Sequence, residues 1–391
     1  MPVSLTPMPA LSSRLQRVSS FLAMDVLAAA TAKERAGGDV VHMEVGQPSA
    51  PAPRRVREAA RAALDAGRIG YTEALGLPSL RERIARHYRE AYGVDVAPER
   101  VVATTGSSAG FVLAFLALFE PGARVAITAP GYPAYRNIFA ALGIEPVDIA
   151  VDAASGWVMT AEAVERAHRE APLAGVLVMS PANPSGTMMG REALARLAET
   201  CRRSGIWFIS DEIYHGLTYD APAETALAAH DGAVIVNSFS KYYCMTGWRI
   251  GWLVVPDALV RPVETLAQNL YISPPYLSQV AAEAAFDAVE ELEEIKAGYA
   301  TNRAFLLEEL AAIGLGEGPP VDGAFYIYRD VARFTNDSLA FCRRMLEETG
   351  VAATPGLDFD PDRGARFVRF SFAGSMEDCR QTVTRLRAWL G

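Results

Sequence analysis

The chain has 391 residues, 50% of them hydrophobic and 21% charged, a balance that suits one large globular domain and one smaller one. Its net charge of −9 excludes a general nucleic-acid or anionic-membrane surface, although not a small patch for one phosphate. No stretch approaches ~20 uninterrupted apolar residues and the N-terminus lacks an apolar signal core, so a soluble cytoplasmic protein is expected.

In chain order, residues 14–35 read as a helix that stops at Gly37-Gly38. From about residue 100, short apolar runs alternate with helical patterns. The runs at 101–103, 124–128, 175–179, 206–210, 233–237 and 250–255 read as buried strands, with helices at 109–119, 133–142 and 191–203 among them. That alternation predicts an α/β fold with a mostly parallel sheet between helices. Beyond residue 256 the pattern is helical through Arg303, then a smaller α+β unit follows with strands at 324–328 and 366–370 and a last helix at 376–390. The expected division is a large domain over 46–290 and a small one built from 1–45 and 291–391.

The four cysteines, Cys201, Cys244, Cys342 and Cys379, are far apart and without metal-ligand spacing. They imply a reducing compartment, no disulfide framework and no metal site.

In open α/β sheets ligands sit beyond the carboxyl ends of the strands, and several chemistry-bearing residues fall there. Only three lysines are present, Lys33, Lys241 and Lys296. Lys241 follows a buried strand in Asn237-Ser238-Phe239-Ser240-Lys241. An isolated lysine is usually a solvated loop residue, but Ser238, Ser240 and the nearby Arg249 supply hydroxyls and a guanidinium fork that can hold a phosphate. A lysine beside a phosphate site suits a Schiff base with a phosphorylated aldehyde. Asp211 ends another apolar strand, where a buried acid needs a cationic or hydrogen-bonding partner; a strand-to-helix cap is the alternative. Tyr214 follows three residues later and is either a hydroxyl donor or a core tyrosine. Asn183, between two prolines in Ser180-Pro181-Ala182-Asn183-Pro184, has an amide that can donate, although Asn-Pro alone marks a turn. Thr104-Thr105-Gly106-Ser107-Ser108 leads into a helix whose first N–H groups can take an anion. It has no P-loop lysine, which disfavours a nucleoside triphosphate. Tyr132 could stack on a planar ring or merely pack.

Taken in this order, the segments resemble the class I/II aminotransferases, fold-type I enzymes that depend on pyridoxal 5'-phosphate (PLP). Ser238-Phe239-Ser240-Lys241 with Met245-Thr246-Gly247-Trp248-Arg249-Ile250-Gly251 carries the resemblance most specifically. Ser180–Gly186 and Ser210–Tyr214 add to it. The resemblance implies the fold-type I transferase fold and PLP as cofactor, with Lys241 as Schiff-base lysine and proton shuttle. Asp211 would meet the pyridine nitrogen, Asn183 and Tyr214 the ring oxygen, and Tyr132 the ring face. Ser107, Ser108, Ser238, Ser240 and Arg249 would hold the phosphate. Tyr71 matches a tyrosine that reaches the partner subunit's phosphate, which implies a homodimer with shared sites. Arg369 matches the arginine that binds the substrate carboxylate, and Gly46 a loop glycine that closes over it. An inward-facing arginine fork has its own rationale for that task; a salt bridge on an edge strand is the alternative. Gln47-Pro48-Ser49-Ala50 departs from the family pattern, which often has an acid there.

The resemblance implies amino transfer between an L-amino acid and a 2-keto acid. Its rivals are a PLP-dependent carbon–sulfur β-lyase on the same scaffold and a PLP-binding regulatory module without turnover. Glutamate or 2-oxoglutarate as one partner is a family expectation. Ser108 stands where some aspartate-specific relatives carry a lysine. Phe21-Leu22-Ala23-Met24 and Tyr271-Ile272-Ser273 are expected to line a pocket for a neutral or aromatic side chain.

Overall fold

The computed structural model describes residues 10–391. Its first regular helix is α1 (Leu22–Arg35), preceded by a separate 3-10 turn over Ser13–Gln16. The single helix expected over 14–35 is therefore broken. Phe21 has extended backbone (φ −89°, ψ 101°), and the Ser19 N–H is drawn across to Asn137 Oδ1 at 2.9 Å. Strand β1 (Val41–His42) and helices α2 (Arg54–Asp65) and α3 (Pro78–Tyr92) lead to the main sheet.

That sheet contains β2 (Val101–Thr104), β3 (Arg124–Ala129), β4 (Glu145–Ala150), β5 (Gly175–Met179), β6 (Trp207–Asp211), β7 (Val234–Ser238) and β8 (Gly251–Val254). The order is β2-β8-β7-β6-β5-β3-β4. Only β8 runs against its neighbours, pairing antiparallel with both β2 and β7. Helices α4 (Gly106–Leu118), α5 (Pro133–Leu142), α6 (Ala161–Glu170), α7 (Arg191–Ser204) and α8 (Asp257–Leu270) accompany these strands. Two apolar cores involve the main sheet: Val176, Val178, Phe208 and Ile235 belong to one, and Leu177, Ile209, Val234 and Val236 to the other. Strands covered on both faces must be apolar throughout, which is why they read as continuous runs rather than alternating ones.

Helices α9 (Tyr276–Ala285) and α10 (Val289–Ala312) follow. The long α10 joins different cores: Leu292 packs with the main sheet, whereas Tyr299, Leu306 and Leu310 pack in a third core. That core also holds Val41 and Met43, residues Ile213–Leu217 in part, and the C-terminal elements. These are β9 (Tyr326–Asp330), α11 (Ser338–Thr349), β10 (Val351–Ala352), β11 (Thr354–Pro355), β12 (Phe367–Ser371) and α12 (Met376–Leu390). β11, β12 and β9 form an antiparallel sheet, and β10 pairs in parallel with β1.

The expected strands are all present, displaced by one or two residues where the loop geometry takes over. β6 runs through Asp211, β7 through Ser238, and β9 starts at Tyr326. Helix α4 begins at Gly106 rather than 109, so Ser107 and Ser108 lie within its first turn. Among the described residues no helix is long and apolar enough to cross a membrane.

Candidate active site

The topology sends one set of loops to a single edge of the sheet. Because β8 is antiparallel to both β2 and β7, the carboxyl ends of β2, β3, β5, β6 and β7 share that edge with the start of β8. Ser107 and Ser108 in the first turn of α4, Tyr132, Asn183 and Lys241 in loops, and Asp211 at the end of β6 gather there, and Arg249 enters β8 at the same edge. Arg369, on β12, and Gly46 reach the same place from the third core, and together these residues line a cavity of about 470 Å³.

Lys241 lies deep in it. Its Nζ donates to the Gly46 carbonyl at 2.6 Å. Burial lowers its pKa to about 8, with help from Arg369 and Arg249 and against the pull of Asp211, so the neutral amine is accessible near neutrality. Gly46 cannot be replaced without a shift, since a Cβ there would stand 1.7 Å from Tyr326 Oη.

Asp211 closes β6 and is almost wholly buried. Its Oδ2 accepts from the Tyr135 hydroxyl, and its Oδ1 from the Ile213 N–H at 3.1 Å. Burial pushes its pKa up to about 7, against those two hydrogen bonds and Lys241. A carboxylate so placed lacks the close cation that would hold it ionised.

The start of α4 offers an anion site. The Thr105 side chain makes no capping hydrogen bond, leaving first-turn N–H groups of the helix for another acceptor. Gly106 has φ +72°, and a Cβ there would stand 2.5 Å from Arg249 Nη2. The guanidinium thus lies directly against this turn. Arg249 itself has left-handed backbone (φ 50°).

Arg369 is held from several sides. Its Nη1 donates to Asn183 Oδ1 at 2.9 Å, which leaves the Asn183 amide nitrogen free to donate elsewhere. Its Nη2 donates to the Glu44 carbonyl and to Thr354 Oγ1 at 3.1 Å. The rings of Tyr326 and Phe359 pack on it at 4.3 and 4.8 Å, and its buried Nε–H has no partner among the described residues. The edge-strand salt bridge considered from the sequence is thereby replaced by a buried guanidinium facing the cavity.

The remaining positions fall in different places. Ser238 does not line the cavity; its Oγ accepts the Ser240 N–H at 3.1 Å and lies 3.1 Å from the Ile250 carbonyl, fixing the turn that carries Ser240. Tyr214 lines the cavity, and its hydroxyl shares a 2.8 Å hydrogen bond with Tyr326. Tyr132 meets Phe21 and Tyr135 edge-on at 5.9 and 5.3 Å. Tyr71 is 84% exposed and stands apart from the cavity of its own chain. Phe21, Ala23 and Met24 line the cavity as expected, joined by Leu27, but residues 271–273 do not. They lie beside the Tyr71 loop instead, where Ser273 Oγ accepts the Thr72 N–H at 3.3 Å.

Three contributors went unread in the sequence: Tyr135, Tyr326 and Thr354. Tyr135 had one available signal, the need of a buried Asp211 for a donor. Among the described residues no group of three or more His, Cys, Asp or Glu gathers as for a metal.

Nearly the whole chain matches a known group of proteins. Residues 38–386 match the family described as aminotransferase class I and II. The chain belongs to the class I and II aminotransferase family. It is 51% identical to the valine–pyruvate aminotransferase of Mycobacterium tuberculosis, over 95% of this chain and 97% of that one. The crystal structure of an aminotransferase from Mycobacterium tuberculosis superposes with a TM-score of 0.95 at 50% identity, covering 98% of this chain and 99% of that one. Aspartate aminotransferase from Thermus thermophilus with maleate gives 0.92 at 32% identity, covering 97% and 100%. The chain is therefore an aminotransferase with the fold-type I architecture expected from its sequence, and members of this family use PLP.

Proposed function

We propose that the chain transfers the amino group of a neutral, apolar L-amino acid of the valine type to a 2-keto acid such as pyruvate, with PLP held beside Lys241. The observation that carries this reading is the composition of the cavity around Lys241. Its three cations, Lys241, Arg249 and Arg369, each have a task, and the remaining wall includes Phe21, Ala23, Met24, Leu27 and Val45. A side chain with its own carboxylate would meet no further cation on these residues. The name of the Mycobacterium tuberculosis relative, which pairs valine with pyruvate, supports the same substrates.

The residues present fit PLP. The open first turn of α4, with Ser107, Ser108, Ser240 and Arg249, would take its phosphate. Asp211, buried and without a close cation, would take its protonated ring nitrogen. Asn183, with its amide nitrogen free, and Tyr214 would donate to its ring oxygen, and Tyr132 would cover a face. When bound, PLP supplies an electron-withdrawing ring that accepts charge from the substrate's Cα.

The protein does the rest. Arg369 offers its unpaired Nε–H and the one Nη1 N–H not given to Asn183 to the substrate carboxylate, while Asn183, Glu44 and Thr354 keep it from rotating. Lys241 Nζ, neutral once its pKa of about 8 is passed, takes the proton from Cα of the amino donor, and in the second half-reaction gives a proton to Cα of the acceptor. Phe21, Phe111 and Tyr132 exclude water from that transfer. Tyr71, exposed as Ile69, Leu270, Tyr271 and Ile272 also are, supports a homodimer in which each copy's Tyr71 completes the other's phosphate site.

The test is a single-turnover assay on PLP-loaded protein mixed with one amino acid and no acceptor. Valine should release about one keto acid per site, alanine and leucine should react, and aspartate should lag far behind; Lys241→Ala should release none. Fast turnover of aspartate would refute the substrate class. Normal turnover by the lysine variant would refute the mechanism.

A further inference from the structure

The apolar wall of the cavity stands on the first turns of α1, and that helix start is capped in an unusual way. Its N-cap position is Phe21, whose side chain cannot accept a hydrogen bond. The acceptor comes instead from 336 residues away: Asp358 Oδ1 takes the Leu22 N–H at 3.0 Å. Its Oδ2 takes the Ala23 N–H at 3.2 Å. A carboxylate across two free N–H groups also meets the positive end of the helix dipole.

The segment carrying Asp358 has other holds on the site. Thr354 accepts from Arg369 at 3.1 Å, and the Phe359 ring packs on that guanidinium at 4.8 Å. The Phe359 carbonyl takes the Gly131 N–H at 3.0 Å, next to Tyr132. One short stretch thus ties together the carboxylate-binding arginine, the loop of Tyr132 and the start of α1. Immediately before and after the two capped residues, Phe21 and Met24 face the cavity, with Leu27 one turn on.

We propose that Asp358 is a positioning residue for substrate selectivity: it latches the first turn of α1 over the cavity, so that Phe21, Met24 and Leu27 form a fixed surface for an apolar side chain. The inference rests on the proposed function and adds to it the residue that sets its side-chain preference. A branched side chain extends from Cα to that surface and gains from its burial. The methyl of alanine is too short to gain as much. Loosening the helix start therefore acts on valine and leucine while largely sparing alanine, and it leaves Lys241, Asp211 and Arg369 in place.

Asp358→Ala removes both acceptors, whereas Asp358→Asn keeps one oxygen and gives a milder defect. For PLP-loaded protein, the ratio of kcat/KM for valine over alanine should fall about two- to thirtyfold in Asp358→Ala, the scale set by loss of a helix cap. The fall should sit mainly in KM for valine, and Asp358→Asn should recover part of it. Hydrogen exchange should quicken in the peptide holding Leu22, Ala23 and Met24, with exchange in β6 and β7 unchanged. The exchange arm reads the latch whether or not any substrate turns over, and so separates its failure from that of the proposed reaction. Unchanged exchange in Asp358→Ala would overturn the latch. Faster exchange with an unchanged valine-to-alanine ratio would overturn its role in selectivity.

Discussion

Replacing Tyr135 by phenylalanine removes one hydroxyl from the floor of the site and tests how Asp211 is kept ionised. Asp211 has two donors, the Tyr135 hydroxyl and the Ile213 N–H, and a pKa near 7 that burial drives upward. A hydrogen bond to a charged group contributes about 1.5–3 kcal/mol, which at about 1.4 kcal/mol per unit raises the carboxyl by roughly one to two units when the bond is lost. The ionised fraction at pH ~7.5 then drops from about three quarters to between about a quarter and a thirtieth. If the carboxylate form is what receives the ring nitrogen of PLP, affinity falls by roughly three- to twenty-five-fold at that pH. The sign is fixed by the titration: a raised carboxyl pKa penalises binding below the new pKa and stops doing so above it. Titrating cofactor-free wild type and Tyr135→Phe with PLP between pH ~6.5 and ~9.5 should show the gap close toward the alkaline end. A deficit of constant size across that range would refute the argument and assign the hydroxyl to packing.

The other expectations follow from single contacts. Arg369→Lys keeps the charge but loses the fork and its hold on Asn183, so kcat/KM for amino acids should fall about ten- to a hundredfold while PLP affinity stays; an equal loss of PLP affinity would contradict this. In cofactor-free protein, an amine-selective reagent read by peptide mass spectrometry should label Lys241 with a midpoint near pH 8, and a midpoint above pH ~10 would show that the site does not depress it. Gly46→Ala drives a methyl into Tyr326, which should cost about 1–3 kcal/mol of stability and displace the carbonyl that holds Lys241; calorimetry showing an unchanged melting temperature would contradict it.

The sequence by itself determined the alternating architecture and most of the residues at the strand ends. A doubly covered parallel strand must be apolar along its whole length, and the loop after its carboxyl end must then carry the polar groups that meet a ligand. Lys241, Asp211 and Asn183 were legible for that reason. What the sequence could not determine depended on contacts between distant segments. The helix expected over 14–35 ends up starting at Leu22 because its cap, Asp358, comes from the far end of the chain, and no local pattern contains that acceptor. Of the two serines, Ser240 is the weaker phosphate ligand from sequence, yet the folded turn puts it in the cavity and turns the Ser238 hydroxyl inward to brace it. Residues 271–273 look as suited to an apolar pocket as Phe21 and Met24, yet the tertiary fold puts them beside Tyr71, outside the cavity. Tyr135, Tyr326 and Thr354 matter only because close packing brings them against Asp211, Tyr214 and Arg369. Local chemistry is written in the chain, whereas the partner of a buried group is chosen by whichever segment the fold packs against it.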